Sequence, residues 1–244
     1  REKWEHDGEV GGASLAAGAT NLMLVQDDWA KGRDRKKGEG FRLYLNTGRT
    51  VDDIVREYQD QRVDPRAASN RPSAAGLGLA REAGIAALAI DHTGFADRAG
   101  FDAELDRRLR EAGIELVACA GFMRILTAGF LDAWAGHIIN IHPALLPLYR
   151  GLDTHARALA DGVRVHGCTV HYVVPEIDAG PIIAQAAVPV LSGDTAETLA
   201  ARVLEAEHRL YPMALALVAG GWARLEAGRV VIDAPTDATA ALYS

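Results

Sequence analysis

The stretch His137-Ile138-Ile139-Asn140-Ile141-His142-Pro143-Ala144-Leu145-Leu146-Pro147 (HIINIHPALLP) sets the reading of the whole chain. Its opening residues alternate as a β-strand does. Side chains two apart on a strand share a face, so Asn140 and His142 lie side by side. Pro143 and Pro147 lack an N–H and have a fixed φ, which ends the strand and stiffens its exit. An amide and an imidazole fixed together at the end of an apolar strand ask for a chemical role.

Upstream of this strand the pattern is regular. A helix over Pro72–Ala83 begins with proline and stops at Gly84, the expected asymmetry. A strand follows at Ala86–Asp91. An amphipathic helix near Gly100–Ala112 puts Phe101, Leu105 and Leu109 on one stripe and Asp102, Asp106, Arg107 and Arg110 outside. Gly113 ends it, and Ile114–Ala120 (IELVACA) reads as a buried strand. Alternation of strands with helices of about ten residues indicates an α/β fold: a mostly parallel open sheet flanked by helices, with right-handed crossovers.

Downstream, a short helix near Thr154–Asp161 precedes strands at Gly167–Val174 and Ile182–Val190, joined through Asp178-Ala179-Gly180-Pro181. Asp194 is the expected cap of a long helix, with Glu197 as its capping-box partner. Leu199, Val203, Ala206 and Leu210 line that helix's inner face, and Pro212 kinks or restarts it. Trp222–Ile232 reads as a hairpin about Ala227-Gly228. The first 66 residues differ and form an atypical N-terminal segment ahead of a domain spanning 67–244. Lys31–Lys37 (KGRDRKK) reads as a solvated loop. Phe41–Leu45 is a candidate strand, Asn46–Thr50 a loop and Val51–Gln59 a helix capped by Thr50. Val63–Ser69 would be the next strand, and Ala19–Val25 an additional one.

Composition narrows the function classes. A formal charge of −7 and 49% apolar residues in 244 describe a chain with a sizeable core and no basic surface. That argues against nucleic acid or an anionic membrane as partner and for small-molecule substrates, with a monomer or homodimer expected. The two cysteines, Cys119 and Cys168, sit in apolar runs and read as buried thiols of a reducing cytoplasm. The eight histidines have no metal-ligand spacing, and no metal is expected. His166 and His171 read as strand decoration.

In open parallel sheets, ligands sit beyond the carboxyl ends of the strands. Asn140 and His142 occupy such an end, and Asp178 stands at another strand exit. Together they suit acyl transfer: an amide donor for an oxyanion, an imidazole to move protons, and a carboxylate to orient it. Taken singly, each is also an ordinary turn or strand-end residue. No serine or cysteine lies in a nucleophile elbow, so the nucleophile has to come from a substrate.

Asn140-Ile141-His142-Pro143-Ala144-Leu145-Leu146-Pro147, with Tyr149-Arg150-Gly151-Leu152-Asp153-Thr154-His155, resembles the signature of the phosphoribosylglycinamide formyltransferases, folate-dependent enzymes of purine synthesis. Ala120-Gly121-Phe122-Met123-Arg124-Ile125-Leu126 is similar to that family's folate loop, Asp178-Ala179-Gly180-Pro181 to its aspartate turn, and the similarity continues through Glu207-His208-Arg209-Leu210-Tyr211-Pro212. It covers about Ala68 to Ile232. The resemblance implies the formyltransferase fold and passage of a formyl group from 10-formyltetrahydrofolate, the co-substrate, to the amine of glycinamide ribonucleotide. It implies Asn140, His142 and Asp178 as catalytic residues. Arg98, Met123, Arg124, Ile125, Leu126, Asn140, Val174, Pro175, Glu176, Ile177 and Asp178 would bind folate. Leu204, Glu205, Ala206 and Glu207 would face the ribonucleotide.

The family opens with a strand and a glycine-rich loop leading into a helix, whose backbone amides hold a phosphate. This chain has no such motif. Gly11-Gly12-Ala13-Ser14 lies too far upstream, and Asn46-Thr47-Gly48-Arg49-Thr50 is better placed but has one glycine. Residues 10–60, especially Asn21–Leu45, are similar instead to a fragment of a glyoxalase-like domain of the vicinal-oxygen-chelate class. The expectation is therefore a fusion in which Phe41–Leu45 and its following loop and helix take the place of the family's first strand, loop and helix. Three functions follow: the transferase, a formyltetrahydrofolate hydrolase, and an inactive folate-binding fusion.

Overall fold

The computed structural model describes strands at Glu5–His6, Glu9–Val10 and Leu22–Gln26, together with residues 66–82 and 84–233. Two compact units divide the chain, Arg1–Ile138 and Ile139–Ser244.

In the first unit, β1 (Glu5–His6) and β2 (Glu9–Val10) form a small antiparallel pair. Four parallel strands carry the rest: β3 (Leu22–Gln26), β4 (Arg66–Ser69), β5 (Ala86–Ala89) and β6 (Leu116–Cys119). β3 pairs with β4 on one side and with β6 on the other. The run offered only as an additional strand therefore lies inside the sheet, between the strands that follow it in the chain. Phe41–Leu45, the expected occupant of a leading strand, lies outside the described residues, as do Asn46–Thr50 and Val51–Gln59.

Helix α1 (Ala75–Glu82) follows β4 and packs on β4 and β5. It starts later than Pro72, because Arg71–Ala74 forms a turn in which Ala74 N–H donates to the Arg71 carbonyl at 3.1 Å. Gly84 leaves the helix at φ +73°, a conformation open to glycine at little cost. Helix α2 (Arg98–Glu111) is capped by the Asp97 carboxylate, which accepts from Gly100 N–H at 2.8 Å. Phe101, Leu105 and Leu109 face the core as their spacing requires.

Asp102 corrects the expected pattern. It is buried rather than outside, and its carboxylate accepts from Thr127 N–H at 2.6 Å, just before α3 (Ala128–Ala133). The charge is tolerated there because it meets an otherwise unpaired amide of the helix start. Asp106, on the same helix, accepts from Trp134 Nε1–H at 2.7 Å.

The second unit carries β7 (Ile138–His142, entered at its first residue from the other unit), α4 (Thr154–Ala160), β8 (Val165–Tyr172) and β9 (Ile182–Pro189). β7 pairs antiparallel with β8, and β8 antiparallel with β9. Helix α5 (Ala196–Ala219) packs on β8 and β9. Leu199, Val203, Ala206, Leu210, Ala214 and Leu217 recur at helical spacing on its buried face, each large aliphatic contributing about 1.5–3 kcal/mol by burial. Pro212 sits inside this helix without interrupting it.

The helix is capped by Thr195, one residue after the expected cap, and the capping-box partner is Thr198 rather than Glu197. Asp194 instead accepts from Leu191 N–H and from both Arg202 guanidinium nitrogens, and the arginine holds its carboxyl well below the usual range. The unit closes with the hairpin β10 (Ala223–Glu226) and β11 (Arg229–Ile232), turning at Ala227 (φ +47°) and Gly228 (φ +77°).

Candidate functional site

The register of β7 against β8 builds the site. Asn140 stands opposite His171, and His142 opposite Thr169. Directly opposed residues of neighbouring strands share a face, so the four side chains form one polar patch. On the reverse face Ile139 and Val170 are buried. The next strand extends the patch, with Gln185 opposite Thr169. Beyond it the pairing slips between Val170 and His171, an irregularity of the kind that re-aims side chains beside functional sites.

Asp178 reaches this patch from the loop between β8 and β9. Its Oδ2 lies 3.3 Å from His142 Nδ1 and accepts from Gly151 N–H at 2.9 Å. Its Oδ1 lies 3.8 Å from His171 Nε2. The backbone of Asp178 is left-handed, φ +50°, which aspartate tolerates better than most residues. Gly180 permits the loop's path, since a Cβ there would stand 1.7 Å from the Tyr172 carbonyl oxygen.

Hydrogen bonds assign the ring protons. His171 Nδ1 is 2.9 Å from the Tyr172 carbonyl, which can only accept, so Nδ1 carries the proton. Its Nε2 is 3.3 Å from Asn140 Nδ2 and accepts from that amide. Burial lowers the basicity of His171, more than the Tyr172 carbonyl and Asp178 raise it. His142 Nε2 is 2.9 Å from the Tyr149 carbonyl, which fixes a proton on Nε2 and leaves Nδ1 facing Asp178. The ring is buried (5% exposed), so this pairing holds its plane.

Thr169 and Gln185 hold the turn that follows His142. The Thr169 hydroxyl donates to the Ala144 carbonyl at 2.6 Å and accepts from Leu146 N–H at 3.0 Å. Gln185 Nε2 donates to Thr169 Oγ1 and to the Leu146 carbonyl, each at 2.9 Å. Neither residue, nor His171, was singled out for function by sequence reasoning. The available signal was alternation: Thr169 and His171 are two apart in an apolar strand, as Asn140 and His142 are.

The remaining sequence-derived residues separate. In the second unit, Val174 is half-buried while Pro175, Glu176 and Ile177 are exposed on the Asp178 loop. Leu204 and Glu205 are exposed on α5, but Ala206 is turned into the core, so its methyl is closed to a solvent-borne ligand. The helical spacing that made Ala206 a core residue excludes it from the outer face. Glu207 lies near enough to Cys168 to raise that thiol further, after burial. In the first unit, Arg98 opens α2 on the surface, Met123 and Ile125 are exposed, Leu126 is half-buried, and the Arg124 guanidinium lies 4.8 Å over the Phe101 ring. No group of His, Cys, Asp and Glu among the described residues is arranged to hold a metal ion.

The family model described as formyl transferase matches residues 43–215. Phosphoribosylglycinamide formyltransferase of Escherichia coli (strain K12) is 42% identical over 165 residues, 68% of this chain and 78% of the relative. This chain belongs to the formyl transferase family. Within that family, the trifunctional purine biosynthetic protein adenosine-3 of Gallus gallus is 52% identical over 163 residues, 66% of this chain. The match spans only 16% of that much longer protein. Among solved formyl transferases, glycinamide ribonucleotide transformylase 1 from Symbiobacterium toebii superposes with a TM-score of 0.71 at 39% identity, covering 91% of this chain and 98% of that one. The resemblance read from the Asn140–Pro147 and Asp178–Pro181 motifs therefore stands, and with it the fold of formyl transferases.

Proposed function

We propose that the chain transfers the formyl group of 10-formyltetrahydrofolate to the amine of glycinamide ribonucleotide, in the cytoplasm and without a metal. The observation that carries this reading is the convergence of Asn140, His142 and Asp178 on one face, with Asp178 Oδ2 3.3 Å from His142 Nδ1.

Each group has a task that its hydrogen bonds leave it free to perform. His171 Nε2 takes one proton of the Asn140 amide, and the second Nδ2 proton is then available to the formyl oxygen. As the substrate amine attacks the formyl carbon, that oxygen becomes an oxyanion. A donor aimed at such an oxygen is typically worth about 3–4 kcal/mol in the barrier. The Tyr149 carbonyl keeps the other ring proton on His142 Nε2, so Nδ1 is the exchanging position. The pair that Nδ1 forms with Asp178 takes up the proton that the amine loses, and Asp178 stabilises the resulting imidazolium. The same proton is returned to N10 of the folate as the carbon–nitrogen bond breaks, leaving tetrahydrofolate and the formylated amine.

Folate is expected to engage Arg98, Met123, Arg124, Ile125, Leu126 and the loop Val174–Asp178. The ribonucleotide is expected to lie along Leu204, Glu205 and Glu207. Residues 1–66 are, on this reading, an atypical N-terminal segment that supplies the strand Leu22–Gln26 to the sheet of the formyltransferase-like domain 67–244. Cys119 and Cys168 are buried in apolar strands, as the cytoplasmic reading expects, and burial raises the Cys119 thiol to about 12. The test is the purified chain with 10-formyltetrahydrofolate and glycinamide ribonucleotide. Formylated ribonucleotide in step with tetrahydrofolate supports the transferase. Formate released at the same rate with or without the acceptor would replace it with a hydrolase, and folate binding without either product would replace it with a binding protein.

A further inference from the structure

The segment that holds both His142 and Asp178 is strained and needs an external clasp. Tyr149, Gly151 and Asp153 have φ of +56°, +78° and +55°, so left-handed residues occur at three of five successive positions. Two of them carry side chains, for which that conformation is strained. Yet this segment supplies the Tyr149 carbonyl that fixes the His142 proton and the Gly151 N–H that holds Asp178.

One side chain bridges the segment. Arg157, projecting from α4, donates through Nη1 to the carbonyls of Arg150 (2.7 Å) and Leu152 (3.3 Å), the residues flanking Gly151. Its guanidinium also lies 5.5 Å from the centroid of the Tyr149 ring. Arg150, in turn, pairs with Glu176 of the Asp178 loop at 2.8 Å. We infer that Arg157 is a positioning residue for formyl transfer: by clasping residues 149–152 it sets the Tyr149 carbonyl and the Gly151 amide, and through them the tautomer of His142 and the seat of Asp178. The inference rests on His142 being the proton carrier.

A guanidinium suits this place because one of its terminal nitrogens, Nη1, reaches two carbonyls while its plane lies over a ring. A lysine ammonium can do only the first. Arg157 is exposed, so its replacement leaves the buried packing of the unit intact.

The experiment uses the full chain labelled with ¹⁵N-histidine, as wild type, Arg157→Ala and Arg157→Lys. Two quantities are read: exchange of the His142 Nε2 proton with water, and the steady-state constants of formyl transfer. In Arg157→Ala, proton exchange is expected to quicken on the order of tenfold and kcat to fall on the order of tenfold, with KM for folate within about twofold. Arg157→Lys is expected to recover part of both losses. A purely structural role would lower the melting temperature of Arg157→Ala and leave proton exchange and kcat at wild-type values, and that result overturns the inference. If wild-type protein transfers no formyl group, the functional reading falls, while the exchange measurement still decides whether Arg157 sets the His142 proton.

Discussion

Replacing Thr169 with valine removes a hydroxyl and little else, because the two side chains are nearly isosteric and both suit a strand. Thr169 is fully buried, so no water replaces what is lost. Three hydrogen bonds disappear: to the Ala144 carbonyl, from Leu146 N–H and from Gln185 Nε2. Two partners retain each other, since Leu146 N–H also reaches the Ala144 carbonyl at 3.1 Å, and Gln185 keeps the Leu146 carbonyl. The loss is therefore below that of three orphaned groups and amounts to about 2 kcal/mol. For a chain of this size that lowers Tm by about 4–8 °C. The same bonds hold the turn directly after His142, so kcat for formyl transfer is expected to fall on the order of tenfold with it. Thr169→Ser, which keeps the hydroxyl and loses a methyl, separates hydrogen bonding from packing and is expected to stay near wild type in kcat. Calorimetry and steady-state kinetics on both variants decide the matter. Equal Tm and kcat in wild type and Thr169→Val would refute the idea that this hydroxyl holds the turn.

His142→Ala is expected to abolish formyl transfer while folate binding, followed by fluorescence titration, persists; a variant that turns over at the wild-type rate removes His142 from the mechanism. Gly180→Ala places a Cβ 1.7 Å from the Tyr172 carbonyl oxygen, so the Asp178 loop or strand β8 has to shift. Overpacking of that kind costs about 1–3 kcal/mol. Its kinetic signature is a lower kcat with the hydrogen bond of Tyr172 N–H to the Pro181 carbonyl weakened, read as faster exchange of that amide. The pH dependence of stability follows from the buried histidines. Burial depresses His171 and His166 below the ordinary 6.5, so the unfolded chain binds protons first. Their contribution is complete above about pH 6.5 and is lost as pH falls through their folded values. Between about pH 7.5 and 5, denaturant titrations should show His171→Gln losing less stability than wild type, and an identical slope in the two would contradict the burial argument.

The part of the site legible in the sequence is the part that period-two alternation reports. Asn140 and His142 were assigned to one face of β7 because residues two apart must share it, and the Asp178-Ala179-Gly180-Pro181 turn was visible as a strand exit. His171 obeyed the same rule on β8. Its meaning depended on standing opposite Asn140, and that register is decided by pairing over 31 positions and by the slip beside Val170, not by any local pattern. The leading strand shows the same division. Nothing in the periodicity of Ala19–Val25 says where in a sheet that run would lie. Its place is decided by the edges that Leu22–Gln26 presents to β4 and β6. Asp102 and the cap at Thr195 differ from expectation for a related reason: a single amide, that of Thr127 or of Thr198, outweighs the helical pattern at one residue. Arg157 extends the argument. It sits on the exposed side of a short helix, where a charged residue needs no special explanation. Only the carbonyls of Arg150 and Leu152, brought beside it by left-handed turns, tie that position to His142. Alternation thus tells which way a side chain points. The chemistry depends on what stands opposite, and the strained segment after β7 is where that neighbour has to be held in place.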